Sequence, residues 1–204
     1  MESDSSRTLL FYKYEKFIVN ESINQNFSNY YKKCYLILTT LNFPTLDNNK
    51  NHRKGEKKEN IVDFAAILTG KEEVPEVDTL DTALATFQSN TNNNKKDDEQ
   101  NDIKYSVKVT DTDKIKEVHI HTGKSSEKGD VVAEFYKSEI PSGEVIGSLT
   151  DGKIRSKDLK GPLQGKNTKE LVRKIEKGEV YVDIMTEDKP KGKVRGKIRK
   201  LAPS

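Results

Sequence analysis

From Ile61 to about residue 200, apolar and polar residues alternate with a period of two. That spacing turns one face of a β-strand toward a core and the other outward. Phe64, Ala66 and Leu68 alternate with Ala65, Ile67 and Thr69 until Gly70 ends the run, and Pro75 keeps the next stretch from being regular sheet. Ala83, Ala85 and Phe87 alternate with Leu84, Thr86 and Gln88. Residues 103–110 give the clearest strand, with four apolar residues on one face and four polar on the other, as a sheet with one wet face requires. Val118 and Ile120 alternate with Glu117, His119 and His121. Val131, Ala133 and Phe135 follow, then Val145, Gly147 and Leu149 beyond a turn at Pro141-Ser142-Gly143. Two more strands are expected at 180–186 and 194–199, joined by a turn at 188–192. Before them lies one helix over 168–177. It carries Leu171, Val172 and Ile175 on one side, Asn167 or Thr168 to cap its start, and Gly178 to end it. About seven to nine short strands with Gly/Pro turns and one short helix predict a mainly-β fold, an antiparallel sandwich or barrel.

Residues 1–60 lack any such period. Leu9, Leu10, Phe11, Phe17, Ile18, Ile23 and Phe27 are scattered, and the densest apolar patch is residues 35–41. The expectation is a largely disordered arm, residues 1–60, ending in a polar linker over 47–60 and followed by a folded domain over 61–200. A second low-complexity stretch, 89–102, separates two strands and reads as an over-long hairpin loop. Asparagine marks the same division: 14 of 15 lie in residues 1–102, whereas 10 of 12 glycines lie beyond. A secretion signal needs a basic start and an apolar stretch near the N-terminus. Here the basic pair Lys32-Lys33 comes late and the apolar run is short. A degenerate export signal and a short element in a disordered arm both remain open, as does whether residues 1–60 belong to the mature protein.

The composition is 32% hydrophobic and 34% charged, against about 45–50% and 25% for an ordinary domain. The linker 47–60 and the Asn-rich stretch 89–102 contain no hydrophobic residue and contribute to that dilution. No run approaches the roughly 18 apolar residues of a membrane helix. The single cysteine, Cys34, excludes an intrachain disulfide framework and multi-thiolate metal sites. Neither low-complexity stretch interleaves aromatics with its basic residues, so no specific nucleic-acid binding is expected. The net charge of +3 hides an acidic segment 61–102 at −7 and a basic end 152–204 at +9. In that end Lys189, Lys191, Lys193, Arg195, Lys197 and Arg199 fall at every second position. On one strand they would form a basic stripe for an anionic surface polymer or an acidic partner. The alternative is a solvated face whose lysines keep an edge strand from pairing.

Five stretches together resemble the CHRD domain, named after chordin. They are Phe64-Ala65-Ala66-Ile67-Leu68-Thr69-Gly70-Lys71-Glu72-Glu73-Val74-Pro75, His119-Ile120-His121, Gly129-Asp130-Val131-Val132, residues 181–186 (Tyr-Val-Asp-Ile-Met-Thr) and residues 192–198 (Gly-Lys-Val-Arg-Gly-Lys-Ile). The resemblance covers about residues 61–200. It implies an immunoglobulin-like β-sandwich or barrel and a secreted or cell-surface setting, while a cytoplasmic one stays open. It implies no activity: the expected role is a non-enzymatic binding domain contacting a protein or surface polymer. Asp183 stands where the family favours Asn, and Met185 where it favours His. A faint similarity to copper–zinc superoxide dismutases carries no such chemistry here, because that enzyme needs about six histidines for its two metals. This chain has three.

A smaller metal site is the second reading. His119 and His121 leave the same face of one strand, and Tyr181, Asp183 and Met185 share one face of another. If the strands are neighbours, two imidazoles with a thioether or carboxylate could hold copper or zinc. The alternative is a pair of surface histidines bonded to Glu117 and Asp183, with Met185 filling a gap. Arg195 could hold Asp183 or a ligand carboxylate in a fork. Tyr181, Lys193, Lys197 and Arg199 complete the candidate binding residues. No Gly-x-Ser-x-Gly, phosphate-binding glycine loop or His-Glu-x-x-His occurs.

Overall fold

The computed structural model describes residues 61–90, 102–123 and 127–201. The expected arm with Cys34 and His52, and most of the Asn-rich loop, lie outside these residues. Nine strands form one antiparallel sheet: β1 (Ile61–Thr69), β2 (Thr82–Asn90), β3 (Ile103–Thr112), β4 (Ile115–Thr122), β5 (Val131–Lys137), β6 (Val145–Ile154), β7 (Val180–Thr186), β8 (Val194–Lys197) and β9 (Arg199–Lys200). Their lateral order is β5-β4-β7-β8-β1-β2-β3-β6, with β9 paired to β1. The sheet curls into a nearly closed barrel, so of the two expected forms the barrel is the one adopted.

Side chains seal the remaining seam, between β5 and β6. Tyr105 of β3 stacks on Phe135 of β5 with ring centroids 4.4 Å apart. The Tyr105 and Thr150 hydroxyls each point at the Phe135 carbonyl from 3.5 Å. Gly152 opposite Tyr105 makes room for the phenol, since a Cβ there would sit 2.9 Å from its oxygen.

The alternating apolar residues fill the interior as their period requires: Phe64, Leu68, Phe87, Val107, Ile120 and Ile184 are all buried. The helix α1 (Thr168–Glu176) plugs one end of the barrel with Leu171, Val172 and Ile175. The Asn167 side chain accepts from the Lys169 amide at 2.9 Å, and Gly178 follows the helix with φ +68°, so both ends form as the sequence predicts.

Two expectations need correction. The outer wall is not uniformly wet. Lys108, placed by alternation on the polar face of β3, is buried, and burial holds its amine below the ordinary lysine range. The C-terminal stripe does not exist as one strand. The run breaks at Ile198, whose amide bonds instead to the Val180 carbonyl. Lys189, Lys191 and Lys193 lie in the preceding loop, with Lys193 ion-paired to Asp81 and Asp188. Arg195 is 2% exposed.

Candidate functional site

The strand order makes β4, β7 and β8 neighbours, so the expected juxtaposition forms. Across them His119 faces Asp183, which faces Arg195, and His121 faces Tyr181, which faces Lys197. Residues between these, Val118, Ile120, Val182 and Ile184, point into the core. The polar rows therefore stand on the outside of the barrel wall. They are not exposed there: His119, Tyr181, Asp183 and Arg195 are all buried.

Two connections cover them. The first leaves β1 through the 3-10 turn Gly70–Glu72 and delivers Glu73, which is 5% exposed, onto Asp183. Gly192 (φ +128°) sits against this carboxylate, where a Cβ would lie 2.5 Å from Oε1. The second is the strap 127–130 between β4 and β5. Arg195 Nη2 donates to the Glu127 carbonyl at 2.8 Å, and the Gly129 amide donates to Tyr181 Oη at 3.1 Å. His121 Nδ1 donates to the Gly129 carbonyl at 2.9 Å. A Cβ at residue 129 would overlap the Thr122 carbonyl, so only glycine lets the strap lie this close. Flat side chains stack beneath it. The His121 and Tyr181 rings lie 5.2 Å apart and nearly parallel, and the Arg195 guanidinium is 3.4 Å from the Tyr181 ring centroid.

Burial dominates the electrostatics. Asp183 is pushed up to about 8, first by desolvation, then by the charge and hydrogen bond of Glu73. Desolvation also raises Glu73, against the pull of Asp183, Lys128 and Arg195. Two carboxyls in contact share a proton more readily than they both ionise. At neutral pH Asp183 is therefore the acid that donates to a Glu73 carboxylate. Burial lowers both histidines and raises Tyr181.

The candidate metal ligands point to different partners. His119 Nε2 turns to Glu117 Oε2 at 3.4 Å and Glu134 Oε2 at 3.5 Å, carboxylates that Lys137 and Lys160 also pair with. His121 turns to the strap. The two rings are 5.7 Å apart, and Met185 lies opposite Glu117, two pairs beyond His119 and Asp183. No group of three or more His, Cys, Asp or Glu among the described residues is arranged to hold a metal ion. His119 is buried and His121 half-buried, so the expectation of two surface histidines needs correction, while the expected contact of His119 with Glu117 is present. Sequence reasoning brought together His119, His121, Tyr181, Asp183 and Arg195. It missed Glu73 and the strap, and Lys193, Lys197 and Arg199 stand outside the cluster. Glu73 was visible only as the acidic residue of its Glu-Val-Pro run.

Each of the five sequence stretches contributes to this one constellation: Glu73, the two histidines, Gly129, Tyr181 with Asp183, and Gly192 with Arg195. Fold and site define a small antiparallel β-barrel domain whose recurring polar residues clamp two loops to the outside of its wall. The chain belongs to the CHRD domain family, whose model matches residues 64–198. CHRD domains occur in extracellular proteins. No curated protein and no solved structure matches the chain. No helix among the described residues is long and apolar enough to cross a membrane.

Proposed function

We propose that this chain is a non-enzymatic binding domain working outside the cytoplasm, where its loops meet a protein or a surface polymer. The observation that carries the reading is the use made of the chemistry-bearing residues. The Glu73 and Asp183 carboxyls bond to each other, His121 and Arg195 hold strap carbonyls, and Tyr181 accepts a strap amide. Groups committed to loop anchoring under cover have no access to a substrate. The same commitment weighs against copper or zinc at His119, His121, Asp183 and Met185, since a metal would need both imidazoles to leave their present partners. Dispersal of the C-terminal lysines weighs against a basic stripe as the contact for an anionic polymer.

The test presents the immobilised chain to cell-surface proteins and polymers of its source. Capture that survives Glu73→Gln and Asp183→Asn, in variants that still fold, is the expected result. Turnover of any offered compound, abolished by either substitution without unfolding, would overturn the reading. Titration with copper and with zinc is expected to leave the melting temperature unchanged. A rise that His121→Ala removes would restore the metal site.

A further inference from the structure

The exposed large apolar side chains of the described residues are Leu80 (67%), Ile140 (79%) and Ile146 (74%). Leu80 lies just before β2, Ile140 between β5 and β6, and Ile146 is the second residue of β6. The antiparallel order brings all three to one end of the barrel, where β1, β3, β5 and β7 finish and β2, β4, β6 and β8 begin. Connections at that end, residues 70–81, 113–114, 138–144 and 187–193, hold ten acidic against five basic residues. Glu76, Asp78, Glu139 and Glu187 are exposed there, with no ion pair among the described residues.

One connection at the opposite end carries the reverse charge. The segment 155–179, which contains α1 and plugs the barrel, holds eight basic against four acidic residues. Lys157, Lys166 and Lys177 are exposed on it and make no ion pair among the described residues. Lysine stems are aliphatic, so such a surface can cover isoleucine while its ammonium groups meet a carboxylate rim.

We propose that copies of this chain associate head to tail, the acidic end bearing Leu80, Ile140 and Ile146 of one copy docking on the lysine-bearing cap of the next. Charge complementarity selects a second copy as the occupant, because both halves of the contact are present on one molecule. The two surfaces differ, so the contact is heterologous and extends into short chains instead of closing as a two-fold dimer. Its strength rests on exposed charge and is therefore screened by salt.

The experiment is sedimentation of the full chain. At low ionic strength the average mass rises above the monomer with concentration. The association constant falls tenfold or more once salt reaches roughly 0.3 M, where the screening length is well under 10 Å. A head variant (Ile140→Asp with Ile146→Asp) and a tail variant (Lys157→Glu, Lys166→Glu and Lys177→Glu) alter only exposed residues, and circular dichroism checks their folding. Each alone is monomeric, while their mixture forms a one-to-one pair that cannot elongate. A wild-type chain that stays monomeric at about millimolar concentration overturns the proposal. So does association that persists in either variant, or a mixture that does not pair. Binding of polylysine by a monomeric wild type would assign the acidic end to a foreign cationic partner, and also overturns it.

Discussion

The barrel interior and the clamp outside its wall both take side chains out of water, yet they are stabilised by different physics. Inside, Phe64, Ile120 and Ile184 exchange water for aliphatic and aromatic contacts, and none of the three titrates. Outside, Glu73, Asp183, Arg195, His119 and His121 are buried or half-buried under two loops, and each is tolerable only through its neighbours. The interior is insensitive to pH and indifferent to which residue touches which, within limits of volume. The clamp depends on protonation and on particular partners. One wall thus carries a robust layer on one face and a conditional one on the other.

Substitutions should separate the two layers by size and by pH. Phe64→Ala in the interior is expected to cost about 3–5 kcal/mol in denaturant unfolding, equally at every pH. Arg195→Ala is expected to cost nearly as much, about 3 kcal/mol or more, because it leaves the Glu73 carboxylate without its buried counter-charge and the Glu127 carbonyl without a donor. A loss under 1 kcal/mol would show that the strap carries little of the fold's stability.

The next effect lies in the pH profile. Asp183 titrates at about 8 when folded against 3.8 when free, so the folded state holds a proton that the unfolded chain releases. Its contribution is fully present below pH 3.8, declines as pH rises and is lost above about 8. The histidines act oppositely: lowered from 6.5, they add stability as pH rises toward that value and are neutral in both states beyond it. The melting temperature should therefore fall between pH 6.5 and 8 in the wild type. In Asp183→Asn that fall should vanish, since an amide donates to Glu73 without a titrating proton. An unchanged slope in the variant would remove Asp183 as its source. Smallest of all, Lys157→Gln on the exposed cap should move stability by less than about 0.5 kcal/mol.

Period-two alternation located the strands because each interior side chain is chosen by its own position, and five short stretches located the family. The nearness of the histidines to Asp183 was legible once β4 and β7 were taken as neighbours; the stacking of Tyr181 on His121 was not, because it depends on the register of the two strands. Glu73 was not legible as a site residue. Its role depends on where a loop without periodicity comes down, and that is set by Gly192 and Asp183 more than a hundred residues away. The burial of His119 and Lys108 was hidden for a related reason. Alternation says which way a side chain points, but not whether something lies over it. The basic stripe failed because spacing of two implies a stripe only while a strand continues, and Ile198 turns to bond Val180.

The seam between β5 and β6 sets where this barrel opens. Between most other neighbours, separating two strands breaks a ladder of backbone hydrogen bonds; at the seam it unstacks Tyr105 from Phe135 and releases two long hydroxyl contacts. The two strands are consecutive in the chain, so they part without unthreading anything. In amide hydrogen exchange, the β5 and β6 amides that face the seam should trade with solvent through this local hinge, while those of β1 and β7 wait for global unfolding.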